Sequence, residues 1–271
     1  MYLLRRADGT SSAASPSKTL ATAPKTSTSE FPIPRPFDTS ALGNNFTAPC
    51  SVWFKKFLSN DMMNACHPFS LLLQTSSSFF DASKSFARIT NTLEATCNVN
   101  TTICLPVMQD FAQQIRDESN CAVDYANDNP SVVQAYNGLI AYQPLYQASC
   151  LRDSGGSYCF ANAITNASAV TDSYPYYLPL GVTLPGGARP TCSTCLQDTM
   201  AIFSSFAGNT TQPISRTYSD AAQHIDMICG PTFVNKTATP LKAGAPSGRA
   251  ADMPVTGTVT LLTMLVLYYL G

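Results

Sequence analysis

Ten cysteines, Cys50, Cys66, Cys97, Cys104, Cys121, Cys150, Cys159, Cys192, Cys195 and Cys229, all lie between residues 50 and 229, and neither flank holds one. Disulfides persist in oxidising compartments and are rare in the cytosol. An even count in that setting reads as a bridge framework whose pairing spacing alone does not give. The competing reading is ten buried free thiols. Cys97, Cys104, Cys150 and Cys229 fall at or near the ends of the helices predicted below, where a bridge can join neighbouring helices.

The apolar pattern between the cysteines has the helical period. Val132, Val133, Tyr136, Leu139 and Ile140 share one helical face. Asn129 is placed to cap that helix, Pro130 suits its first turn, and Pro144 should end or kink it. Ile103, Val107, Phe111 and Ile115 fall at four-residue steps, and Phe79, Phe86, Ile89 and Leu93 make another stripe ending at Cys97. Leu196, Met200, Phe203 and Phe206 follow Cys195, while Tyr218, Ala221, Ile225 and Cys229 precede the helix stop Gly230-Pro231. Trp53, Phe54, Phe57 and Leu58 form a helical apolar cluster and read as core. Strand alternation is scarce. DSYPYYLPLGVTLPGGARP, residues 172–190, carries four prolines and three glycines and reads as a long loop with at most one short strand. The expected fold is all-α, a disulfide-stapled helical bundle flanked by disordered Ser/Thr-rich and Ala/Gly/Pro-rich segments.

Residues 1–31 form the first flank. From Thr10 to Ser29, eleven of 20 residues are Ser or Thr, too few apolar groups for a core, and in a secreted protein such a segment reads as an O-glycosylated stalk. Residues 32–238 form one cysteine-rich helical domain, large enough to bury a core that the bridges supplement. Residues 239–254 are a linker and 255–271 an apolar tail. Net charge is −1 with 12% charged residues and no basic stripe, which argues against a nucleic-acid partner.

The tail, VTGTVTLLTMLVLYYLG, has three readings. A spanning helix needs about 20 apolar residues, or at least roughly 17, and Gly257 with three threonines weakens the first half of this one. A cytosolic tail anchor is the second. The favoured third is a glycosylphosphatidylinositol (GPI) attachment signal, which takes small residues, a polar spacer and an apolar tail. Ala243, Gly244 and Ala245 supply the small residues, with Ser247 a further attachment candidate, and Pro246 to Pro254 supply the spacer. A membrane partner through a lipid anchor is therefore expected. Five N-x-[ST] sequons, at Asn45, Asn100, Asn166, Asn209 and Asn235, agree with that side of the membrane and should lie on exposed loops or helix ends. Met1 to Leu4 is too short for the apolar region of a signal peptide. The expectation is a start lying further upstream, with Arg5-Arg6 as a dibasic processing site.

Catalytic motifs are not found. Cys192-Ser-Thr-Cys195 is the one redox- or metal-like motif, but no βαβ pattern surrounds it and no second close pair completes a zinc site. It reads as two cysteines bridged to different helices. GxSxG, HExxH and coupled SxxK motifs are missing, and Ser154-Gly155-Gly156-Ser157 lacks nucleophile-elbow spacing. His67 reads as structural or surface, and His224 as lying on the polar side of the last helix. A two-carboxylate glycosidase remains open, because such a pair need not be close in sequence. Asp110, Asp117 and Glu118 share one predicted helix, where solvated charge is the default. Tyr174, Tyr176 and Tyr177 could stack on a sugar ring, or else clamp the Pro-rich loop onto the domain. No cofactor is expected, and no oligomeric state is set.

LGNNFTAPC (42–50), PFSLLLQTSSSFF (68–80), AYNGLIAYQPLYQASCLRD (135–153), YCFANAITN (158–166), SYPYYLPLGVTLPGGARPTCSTCLQDTMAIF (173–203) and ICGPTFVN (228–235) resemble a fungal family of uncharacterised secreted proteins, catalogued as a domain of unknown function. The resemblance covers residues 32–238. It implies a signal peptide, a Ser/Thr-rich segment and often a GPI-type tail; this chain matches the last two and departs at the first. It implies no catalytic residues. The expected function is a GPI-anchored glycoprotein of the cell surface or cell wall, structural or adhesive and non-enzymatic. The alternatives are a binding module for wall polysaccharide or a small lipid, and a wall-remodelling carbohydrate enzyme.

Overall fold

The computed structural model describes residues 31–39 and 45–238. The attachment candidates Ala243, Gly244 and Ser247, the apolar tail and nearly all of the Ser/Thr-rich arm lie outside the described residues. Among the described residues the secondary structure is helical, apart from one isolated bridge between Arg152 and Tyr158. The all-α, disulfide-bonded architecture is as the sequence predicts.

Local chemistry sets the helix starts. α1 (Ala48–Leu58) has Pro49 in its first turn, where a missing N–H breaks no helical bond. α2 (Asp61–Ala65) begins with the Asn60 side chain accepting from the Met63 amide. α3 (Phe69–Thr75) is followed at once by α4 (Ser77–Ser83), capped by Ser76. Asp38 closes the same end, accepting from the Ser77 amide at 2.8 Å and the Ser78 amide at 3.1 Å. A carboxylate is favourable at that positive pole. Burial tends to raise the Asp38 pKa, but the serine and amide donors outweigh it and hold the group below the usual carboxylate value.

α5 (Phe86–Cys97), α6 (Thr101–Gln114), α7 (Ala122–Ala126), α8 (Pro130–Ile140) and α9 (Tyr142–Ser149) follow. Asn129 caps α8 by accepting from the Ser131 amide at 3.1 Å, as expected. α8 stops at Ile140, and Pro144 is the third residue of α9, in the turn where its ring needs no donor. α10 (Cys159–Thr165), a 3-10 helix (Val170–Leu180), α11 (Thr194–Ala207) and α12 (Ile214–Cys229) complete the domain. Gly230 ends α12 at φ 106°, a conformation that favours glycine. The segment beyond it is tied back to buried Asp226, which accepts from the Val234 amide at 2.9 Å.

Three expectations need correction. The Ile103 stripe is misaligned: Ile103 is exposed, and α6 buries Cys104, Met108, Phe111 and Ala112, with Ile115 buried just beyond it. The Phe79–Leu93 stripe is two helices, and Phe86, at the start of α5, is exposed. Residues 170–180 are a 3-10 helix in place of a loop with a strand. Pro175 and Pro179 remove amide donors there, and a tighter helix in short turns tolerates the loss better than a regular α-helix.

The buried side chains form two clusters. The first joins α1, α2, α6 and α8, with Trp53 stacked on Phe57 at 4.9 Å and Phe57 edge-on to Phe111 at 5.0 Å. The second joins α4, α5, α9, α10, the 3-10 helix, α11 and α12, around Phe69, Phe160 and Phe203. α3 supplies Leu71 to the first and Phe69, Leu72 and Leu73 to the second. All ten cysteines pair, as Cys50–Cys121, Cys66–Cys104, Cys97–Cys150, Cys159–Cys195 and Cys192–Cys229. Cys192 and Cys195 are thus bridged to different helices, α12 and α10.

Candidate functional site

A tyrosine surface is the site the sequence offers most directly, and the 3-10 helix splits it. Residues three apart eclipse in such a helix, so Tyr174 and Tyr177 share a face while Tyr176 turns inward. Tyr176 is buried, edge-on to Phe160 at 4.8 Å, and its hydroxyl accepts from Thr199 Oγ1 at 3.2 Å. Burial pushes its phenol up to about 12. Tyr176 is therefore a core residue and drops out of the stacking surface.

Tyr174 and Tyr177 line a groove of about 480 Å³ with Phe79 and Phe80 of α4, Val170 and Val182. Phe80 is 63% exposed, Val170 64%, Val182 39% and Tyr174 37%, so four large apolar side chains face water around one recess. No charged side chain lines it. Two of its hydroxyls are already committed, Ser76 to Asp38 and Ser83 to the Phe80 carbonyl. Such a groove can hold an apolar body, and no carboxylate, histidine or cysteine is among its lining residues. Phe80, Val170 and Val182 were not legible as site residues. The available signal was the Phe79-Phe80 pair in a short helix, where adjacent aromatics cannot both face the core.

Two carboxylates line one cleft. Asp153 and Asp172 line a recess of about 270 Å³ between α10 and the start of α11. Asp153 accepts from the Ser157 and Gly155 amides at 2.9 Å and from Asn162 Nδ2 at 2.7 Å. The Ser157 amide is the largest influence, and together these donors hold its pKa below the ordinary value. Asp172 accepts from the Thr191 amide at 2.6 Å, Thr191 Oγ1 at 3.0 Å and Asn166 Nδ2 at 2.8 Å. Glycosidase chemistry needs one carboxyl with a raised pKa as the acid. Asp153 is shifted the opposite way, and both carboxylates tie loop residues together through these hydrogen bonds. The expectation that Asp110, Asp117 and Glu118 share one helix needs correction: α6 ends at Gln114, so only Asp110 is on it, and Asp117 and Glu118 lie in the turns beyond; all three are exposed, Asp110 accepting from Gln114 and Asp117 from Ser119.

The histidines lie apart from this cleft. His67 takes φ 39°, its carbonyl accepts from Thr96 Oγ1 at 3.1 Å, and burial followed by the charge of Arg35 lowers its pKa. His224 is half-buried on α12 with Nε2 2.9 Å from the Ala188 carbonyl. Among the described residues no group of three His, Cys, Asp or Glu is placed to hold a metal. No helix among them is long and apolar enough to cross a membrane.

Asn45, Asn100 and Asn235 are exposed, and Asn166 and Asn209 half-buried. Four of these side chains make the same local bond, Oδ1 accepting from the amide two residues on, at Thr102, Ser168, Thr211 and Thr237. Asn209 and Thr211 also border a recess of about 760 Å³ between α6, α8, α9 and the α11–α12 connection.

These features define a disulfide-stapled, all-α domain with an open apolar groove. The chain belongs to the DUF7729 family, described as a domain of unknown function, whose sequence profile matches residues 32–238. No curated protein and no solved structure matches it.

Proposed function

We propose that this chain is a GPI-anchored glycoprotein of the cell surface or cell wall, with a structural or adhesive role and no enzymatic one. The observation that carries the reading is the pairing of all ten cysteines into five bridges, which fits an oxidising compartment. The tail pattern and the sequons support the same side of the membrane. The engagement of Asp153 and Asp172 as loop ties supports the non-enzymatic part. Phosphatidylinositol-specific phospholipase C applied to intact cells tests the anchor. Release, with a C-terminal peptide ending between Ala243 and Ser247, is the expected result. Retention with an intact peptide through Gly271 would overturn it.

A second reading, a binding module, draws on the groove beside Tyr174 and Tyr177. Its apolar lining without charge or side-chain amide favours a small lipid over a wall polysaccharide. Labelled fatty acid or sterol should bind the full chain, and Phe80→Asp should abolish binding while leaving the helical circular dichroism intact. Equal binding by the variant would remove this reading.

A further inference from the structure

The larger recess differs in chemistry from the apolar groove. Its floor is apolar, with Leu105, Ala112 and Leu139, and its walls carry the side-chain amides of Gln109, Gln113, Gln143 and Gln212. Arg116 and Tyr136 close one end; the guanidinium donates to Tyr136 Oη at 3.3 Å and lies 5.3 Å from the Tyr125 ring centroid and 5.4 Å from that of Tyr136. Gln212 Oε1 is buried and accepts no hydrogen bond. Amides beside an aromatic–guanidinium platform suit a sugar, whose hydroxyls need donors and acceptors and whose ring face is apolar. The volume of about 760 Å³ falls within the ~300–1,000 Å³ range of small-ligand sites.

A sugar acceptor stands on the rim of this recess. Asn209 Oδ1 is occupied by the Thr211 amide at 3.1 Å and Thr211 Oγ1 at 2.7 Å, which leaves Nδ2 as the atom available for linkage. We propose that the N-linked glycan carried by Asn209 folds back into this recess, so that its core sugars are bound by the chain's own glutamines and by the Arg116–Tyr136 end. The inference rests on the secreted-glycoprotein reading above. In the attachment, Asn209 Nδ2 forms a bond to C1 of a sugar on a lipid-linked oligosaccharide diphosphate. Nδ2 loses a proton, and the lipid diphosphate leaves with the electron pair of the broken C1–O bond. Asn100 and Asn235 are exposed and border neither this recess, the apolar groove nor the carboxylate cleft, so their glycans serve as internal controls.

The test is native digestion of the full chain, made in a host that adds oligomannose glycans, with an endoglycosidase that cuts between the two core N-acetylglucosamines. Glycopeptide mass spectrometry reads each site. The glycan at Asn209 should be trimmed at least about tenfold more slowly than those at Asn100 and Asn235, the protection conferred by ~1.4 kcal/mol of contact. All should be trimmed alike after reduction and denaturation. Arg116→Ala, at an exposed position, should leave the glycan attached and remove the protection; Tyr136→Ala should do the same. Equal native trimming at the three sites overturns the inference, as does an unmodified Asn209 beside modified Asn100 and Asn235. No glycan at any sequon overturns the secreted-glycoprotein reading and the inference with it.

Discussion

The two cores of this domain are closed by different parts of the chain. The first, around Trp53, holds the Cys50–Cys121 and Cys66–Cys104 bridges, which span 71 and 38 residues. The second, around Phe160, is bordered by Cys97–Cys150, Cys159–Cys195 and Cys192–Cys229, spanning 53, 36 and 37 residues. The seam between them is packing: α3 feeds both cores, and Gly138 of α8 lies against its backbone. Each half thus has its own covalent closure, and the union depends on packing: α9 as well as α3 feeds both cores, with Tyr142 in the first and Leu145 and Ala148 in the second.

Removing a bridge should separate the halves most sharply. In the chain-entropy picture, each of these loops restrains the unfolded state by roughly 4 kcal/mol. The double variants C66A/C104A and C159A/C195A should each lose about that much, with hydrogen-exchange protection falling first in the core that lost its bridge. Even loss across both cores, in either variant, would show that they unfold as one unit and would break the comparison.

The seam gives the next largest effect. A Cβ at Gly138 would sit 2.5 Å from Leu71 Cδ2 and 3.1 Å from the Ser70 carbonyl oxygen. Gly138→Ala should cost about 1–3 kcal/mol through overpacking, less the gain in helix propensity of up to ~1 kcal/mol. A urea midpoint at or above that of the parent would mean that α3 and α8 separate freely, and that the seam is softer than the cores.

Acid should act more gently. Asp226 is buried in the second half; burial raises its pKa, but the Val234 and Thr232 amides and Lys236 lower it further, and the net is below 3.8. Asp38 and Asp153 are also held below that value. A depressed folded-state pKa contributes stability above the unfolded value, and that contribution is lost as pH falls through the folded one. The urea midpoint should therefore show no loss from these three groups between neutral pH and about 5, and decline progressively below it. Asp226→Asn should flatten part of that decline; an unchanged slope would remove Asp226 from the account.

Helices and bridging were legible because both leave short-range marks. Asn129-Pro130 marks the start of α8, Gly230 the end of α12, and Leu196 to Phe206 the inward face of α11. Faces were less legible where apolar residues exceed one stripe. In α6, Ile103 and Cys104 are adjacent, and the Cys66 bridge draws Cys104 inward and leaves Ile103 in water. The 3-10 helix was hidden because its prolines and glycines read as loop, and its three-residue period alone separates Tyr176 from Tyr174 and Tyr177. The apolar groove and the larger recess draw side chains from helices distant in sequence, which no local pattern connects.

The pairing has a consequence for how the chain must be made. No native bridge joins two cysteines that are consecutive along the chain; each spans at least one other cysteine. A chain oxidised from its N-terminus as it emerges meets Cys66 with Cys50, and Cys97 with Cys66, before either native partner exists. Any bridge closed between such neighbours is wrong and must be reopened by a thiolate. Where oxidation outruns folding, such mispaired bridges have to be exchanged for the native ones, over seconds to hours, and an isomerase would then speed the process more than an added oxidant.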